Sequence, residues 1–275
     1  MDTNDTTSSI PNEQVPLQEE ELSHSDKMIG VFTEPGKTFE KTSLFPARTI
    51  DWFLPMLILL VLVAISQIIL LNNPEIAYQV RQKAVERIEQ NFSEAVKNGQ
   101  MTQEQAEQQM DRILEQMDQG RGTVGMIIQS VSILVIGFII FFIMAGLHFF
   151  FAKVVFKGEG VYASSLVANG LSAYIGIVAV ILGAILSLVL GKMLPDLSVA
   201  SFFDSDKSEF LGWVLGKLDI ITIWTNVVLS IGLAKMFRSK SMMKYFLMVF
   251  GIWILGSLLF WGLAKAFPFL GWFMG

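Results

Sequence analysis

Asp219, Thr222, Asn226 and Ser230 recur every three or four residues along LDIITIWTNVVLSIGLAKMF, residues 218–237. On a helix they share one face. A carboxylate, an amide and two hydroxyls on one stripe of an apolar segment can bond to neighbouring helices, or they can hold a cation or relay a proton. A charged Asp at the centre of a membrane helix costs about 2.5–3.5 kcal/mol on insertion scales. Asp219 lies near an end of its segment, and Lys217, two residues away, is off its face. The bonding role is therefore expected: Asp219 forms the outer end of a polar face that fixes how a helix bundle closes. The alternative is a channel or transporter whose polar path is lined by Asp219, Asn226 and Asn169. A second stripe, Ser165, Asn169, Ser172, Gly176, Gly183 and Ser187, reads as close helix packing with Ser and Asn bonding across it.

Other chemistry finds few residues to carry it. The chain has no cysteine, which excludes disulfides, thiolate nucleophiles and Cys-ligated metals. Its two histidines are His24 and His148. His148, within an aromatic run, reads as a polar anchor near an interface rather than a metal ligand. The sequence contains no Gly-x-Ser-x-Gly elbow, no His-Glu-x-x-His helix and no phosphate loop. Paired aspartyl chemistry would need Asp51 and Asp219 to face each other, and the expected topology puts them at opposite ends of the bundle. The reading is a non-enzyme without cofactor or metal. A net charge of −5 argues against nucleic acid as a partner.

The elements that would position these residues are read from hydropathy. Just over half the residues are hydrophobic (52%), and the charges concentrate in residues 1–48 and 74–121. Runs of about 20 apolar residues match a hydrocarbon slab about 30 Å thick. The expected fold class is all-α, a multipass membrane bundle of five transmembrane helices with an extramembrane helical hairpin between helices one and two. Residues 1–26 lack an apolar period and read as a disordered acidic tail. Residues 27–48 read as an amphipathic interfacial segment, with Met28, Ile29, Phe32 and Phe39 in contact with the membrane, as is Trp52 near one interface of the first span. The first span is expected at 49–72 and the hairpin at 73–121. The remaining spans are expected at about 123–155, 162–194, 210–237 and 244–267.

Within the hairpin, Ile88 and Phe92 lie on one helical stripe and Met110, Ile113 and Met117 on the other, a pattern suited to self-association. Thr102 and Gln105 form a capping-box signature between them. Lys and Arg gather in the segments on the N-terminal side of the membrane, which predicts a cytoplasmic N-terminus. The hairpin and the C-terminus then fall on the opposite side. The expected partners are the lipid bilayer, a second copy of the chain, and an unidentified membrane or cytoplasmic protein.

Three stretches resemble a known family. VFTEPGKTFE (31–40) is similar to a Pro-centred amphipathic lead-in, FKGEGVYASSLVANGLSAY (156–174) to a loop and third span, and LDIITIWTNVVLSIGLA (218–234) to a fourth span with an Asp–aromatic pattern. The GQMTQEQAEQQM insert (99–110) looks like one found in bacterial members. In this order they resemble the Yip family of five-span membrane proteins, specifically its bacterial branch. The resemblance implies a cytoplasmic N-terminus, a C-terminus on the other side and, if bacterial, residence in the inner membrane. Eukaryotic members are linked to Rab-GTPase binding, vesicle trafficking and membrane shaping. The implied role is a membrane-organising, trafficking-related or scaffold factor. Asn169-Gly170 and Ser172-Ala173 stand where many relatives carry a Tyr-containing small-residue motif, so no motif role is transferred to them.

Overall fold

A computed structural model describes residues 20–119 and 122–266. The first 19 positions of the expected tail and the last nine residues lie outside the described residues. Helices and no strands occur among those described: α1 (His24–Thr33), α2 (Pro35–Thr42), α3 (Ile50–Leu71), α4 (Pro74–Lys97), α5 (Gln103–Gln119), α6 (Thr123–Phe150), α7 (Tyr162–Leu190), α8 (Val199–Phe202), α9 (Phe210–Leu215), α10 (Ile220–Met236) and α11 (Met243–Ala266). The all-α class holds. Five π-helical residues, Phe151–Val155, extend α6.

By length and composition, four helices can cross a membrane: Ile50–Leu71, Val124–Val155, Tyr162–Leu190 and Met243–Lys265. The continuous fourth span expected at 210–237 is corrected. The chain breaks between α9 and α10, and Asp219 is the N-cap of a helix of 17 residues. At 1.5 Å per residue that helix is about 25 Å long, short of a 30 Å slab. The physical reason is local. The Asp219 carboxylate accepts from the Ile221 and Thr222 backbone N–H groups, which starts a helix there instead of continuing one.

The first half of α7 is the hub of the bundle. From Ser164 to Ile175 every residue except Asn169 is buried, by α3, α10, α6 and α1. Gly170 lets α3 approach closely, since a Cβ there would lie 2.3 Å from the Trp52 Cα. At one end of the bundle, the loops around 156–161 and 237–242 meet, and the end of α2 meets the second of them through Arg238 and the Ser43 carbonyl. Glu159 N–H donates to the Phe237 carbonyl, and Lys235 pairs with Glu40 at 2.8 Å. At the other end, α4 meets the 191–219 segment, with Gln79 Nε2 donating to the Gly191 carbonyl at 3.2 Å. The α4–α5 turn carries the reciprocal cap, Gln105 N–H to Thr102 Oγ1 and Thr102 N–H to Gln105 Oε1.

The N-terminal region differs most from expectation. α1 starts at His24, within the expected tail, because Ser23 and Asp26 close a capping box. α1 and α2 then dock on the bundle. Val31 and Phe39 are fully buried. The Phe39 ring lies over Gly232, where a Cβ would come within 2.8 Å of it, and Phe32 meets Trp224 edge-on. Lipid contact at Phe39 is therefore corrected. Met28 and Phe32 pack partly against the same core, and Trp52 stacks on Phe141. Ile29 alone of the five is largely exposed, at 57%. An apolar period shows that a face will be buried, but the same period serves for burial in lipid or in protein.

Candidate functional site

Three polar centres organise the bundle. The first is the Asp219 cap. Besides its two backbone bonds, Asp219 accepts from Thr222 Oγ1 at 2.9 Å. Further along α10, Ser230 Oγ donates to the Asn226 carbonyl, and the buried Asn226 Nδ2 meets no acceptor. Ser172 Oγ donates to the Ala168 carbonyl within α7. The residues expected to form one polar face thus make bonds mainly within their own helices.

The second centre joins α6 to α7. His148 Nδ1 lies 3.0 Å from Asn169 Oδ1, and Asn169 Nδ2 donates to the Ser165 carbonyl. Ser165 Oγ in turn reaches the Ala145 carbonyl at 2.7 Å. His148 is a helix-to-helix tie instead of an interfacial anchor, and Asn169 is occupied by it.

The third centre was not assigned from sequence. Asp51, in the first turn of α3, is fully buried. Lys27 Nζ of α1 donates to its Oδ2 at 2.6 Å, and both side chains are about 1% exposed. His24 Nδ1 lies 2.8 Å from Oδ1, and His24 Nε2 lies 2.7 Å from the Tyr174 hydroxyl. A neutral imidazole satisfies both contacts: Nδ1–H donates to the carboxylate and Nε2 accepts the phenol proton. Glu21 adds a second carboxylate to Lys27 at 3.1 Å, and Arg48 approaches Glu21 at 3.5 Å. One buried carboxylate thereby ties α1 to α3 and α7. The signal was present in the sequence, since a carboxylate opening a 22-residue apolar helix demands a partner as Asp219 does. The partners lie 24 and 27 residues upstream, beyond the reach of helical periodicity.

At the opposite end, the 191–219 segment holds its own charges. Asp196 accepts from Ser198, Ser201 and Lys207, the last at 2.6 Å. Burial would raise its carboxyl pKa, but these hydrogen bonds outweigh burial and hold it below its ordinary value. Lys192 bonds Asp204 at 2.6 Å, and Lys83 of α4 lies 3.7 Å from the same carboxylate. The Lys192 bond first, and then Lys83, lower the Asp204 pKa. No group of three or more His, Cys, Asp or Glu able to hold a metal ion occurs among the described residues.

The α4–α5 hairpin carries a surface furrow of about 470 Å³ lined by Phe92, Val96, Ala106 and Met110. Of the residues expected to pair between copies, Ile88 is buried within the chain and is removed from that set. Phe92, Met110, Ile113 and Met117 stay half-exposed.

Neither the curated proteins nor the solved structures contain a match to this chain. The Yip1 domain matches residues 29–264, from within α1 to near the end of α11. That stretch takes in the α1–α2 lead-in, the Asp51 carboxylate, the α7 hub and the Asp219-capped helix, and the chain belongs to the Yip1-domain family.

Proposed function

We propose that this Yip-family membrane protein is a non-enzymatic scaffold or membrane-organising factor, trafficking-related in the sense of its family, that self-associates through the α4–α5 hairpin. The carrying observation is the hairpin furrow. Phe92 and Val96 of α4 and Ala106 and Met110 of α5 form its apolar part, flanked by Glu89, Lys97 and Glu107, and two helices alone leave it open. A second hairpin laid into it would make a four-helix arrangement, the usual way in which paired amphipathic helices bury such faces. The cytoplasmic N-terminus and the opposite placement of hairpin and C-terminus draw support from the cations at the α1–α2 end, among them Lys37, Lys41, Lys153, Lys157, Arg238 and Lys240.

The channel reading gains no comparable support, because Asp219 caps its own helix and Asn169 is bonded to Ser165 and His148. The test uses the absence of native cysteine. Met110→Cys and Met117→Cys each give a single-cysteine chain. Oxidative cross-linking in membranes should yield a covalent dimer for at least one. A monomer across the accessible range of concentration overturns self-association through this surface.

A further inference from the structure

The 191–219 segment ends in a group of aromatics that the scaffold reading does not use. Phe210 of α9 stacks on Trp213 with centroids 5.8 Å apart and meets Trp261 of α11 edge-on at 6.1 Å. Trp261 Nε1 donates to the Ser208 carbonyl at 3.0 Å. Trp213 Nε1 is buried and meets no acceptor. A buried N–H without an acceptor is costly, so it points to a missing partner. Beside it, Lys217 Nζ lies 5.5 Å from the Trp213 ring centroid and 5.6 Å from that of Trp253. Among the described residues Lys217 forms no ion pair. Partial burial pulls its ammonium below the ordinary lysine pKa, Asp196 opposes that, and Lys207 adds to it. A cation over two indole rings thus accompanies an orphan donor on one of them, and one anionic oxygen group could serve both.

The surroundings say where that group comes from. Phe203, Leu211 and Ile220 are 78%, 69% and 83% exposed, and Phe210 and Leu218 are exposed with them. Such side chains beside Trp and Lys, at the end of apolar helices, are the composition of a membrane–water interface. The residues first expected at that interface, in α1 and α2, are docked on the bundle. This segment presents exposed apolar side chains at the hairpin end.

We propose that Lys217 and Trp213, beside Trp253, bind the phosphodiester of a phospholipid. Lys217 Nζ and Trp213 Nε1 donate to the phosphate oxygens, and Phe203, Phe210, Leu211 and Ile220 sit against the acyl boundary of the same leaflet. The site is independent of hairpin pairing.

The test uses the full chain purified in detergent and stripped of lipid. It is titrated with phosphatidylglycerol and, separately, with inorganic phosphate, and bound lipid is read by native mass spectrometry. The wild type should retain phosphatidylglycerol and show no comparable affinity for inorganic phosphate. Lys217→Ala should weaken retention about ten-fold, the effect of losing one charge-assisted hydrogen bond. Lys217→Arg should keep most of it. Trp213→Phe, which removes the N–H and keeps an aromatic wall, should weaken retention in the same direction; it carries the test alone if Lys217→Ala does not fold. Wild-type retention in both Lys217→Ala and Trp213→Phe overturns the site. Inorganic phosphate binding as tightly as the lipid overturns the assignment to a phospholipid.

Discussion

Lys27 Nζ and Asp51 Oδ2 lie 2.6 Å apart, and neither side chain is more than about 1% exposed. The pair locks the first helix of the described chain onto the first turn of the first membrane-length helix. Breaking a buried pair on one side leaves an unpaired charge, which typically costs about 3–5 kcal/mol, whereas replacing both partners by apolar groups is often near neutral. Lys27→Met and Asp51→Leu should each lower the detergent-phase melting temperature and open α1 to protease. The double variant should recover much of both. A double variant as impaired as the worse single variant would show that His24 and Tyr174, and not the ion pair, dominate the lock.

Asp219 should behave as a cap. Asp219→Leu removes the acceptor for two backbone N–H groups and should destabilise the bundle by about 0.5–2 kcal/mol. Asp219→Asn keeps an acceptor oxygen and should fold nearly as the wild type does. Thermal unfolding of the three proteins in one detergent measures this. Ion flux into liposomes that is present in the wild type and abolished in a fully folded Asp219→Asn would favour the transport reading instead.

Gly232 sits under Phe39, and Gly170 sits against the Trp52 backbone. Gly232→Ala forces the Phe39 ring to move, so α2 should undock, and protease cleavage near Lys37 or Lys41 should rise. Gly170→Ala meets backbone instead of a movable ring, so it should separate α3 from α7 and cost more, at or above the roughly 1–3 kcal/mol of an overpacked core. Equal melting temperatures for the two variants would contradict this ranking.

The 191–219 segment should loosen in acid. The Asp196 and Asp204 carboxyls are held below their ordinary value of 3.8 in the folded chain. Stability from a depressed carboxyl is fully present above the unfolded pKa and is lost as pH falls through the folded one. Limited proteolysis within 191–219 should therefore be flat from neutral pH down to about pH 4 and rise below it. Asp196→Asn should already show raised cleavage at neutral pH. A rise centred near neutral pH in the wild type would assign the transition to another group.

Topology is open to a direct measurement. A reporter fused after Gly275 should be active on the non-cytoplasmic side, in line with the distribution of Lys and Arg, which needs the 17-residue α10 to make the fourth of five crossings. Cytoplasmic activity there would mean an even number of crossings, with α10 not serving as one.

The helical class was legible because hydropathy over 20 or more residues is a local property, and a bilayer imposes its length on each segment separately. The Thr102–Gln105 cap was legible for the same reason, since its partners are three residues apart. The α1–α2 docking was not. Phe39 and Gly232 are separated by most of the chain, and a Phe on an amphipathic face reads alike whether it meets lipid or a glycine on another helix. His24 was assigned to a polar tail because its composition is that of a tail; only Asp51 and Tyr174, brought together by α3 and α7, give it a place.

By itself the sequence determined that this chain is helical, that long stretches of it suit lipid, and that Asp219 must find hydrogen-bond partners, because those facts follow from transfer free energies and short-range spacing. Tertiary structure decided which partners. It buried Lys27 against Asp51, set Phe39 over Gly232, and left Lys217 between two indoles, because burial and pairing depend on which helices meet, and the chain's order does not carry that information locally.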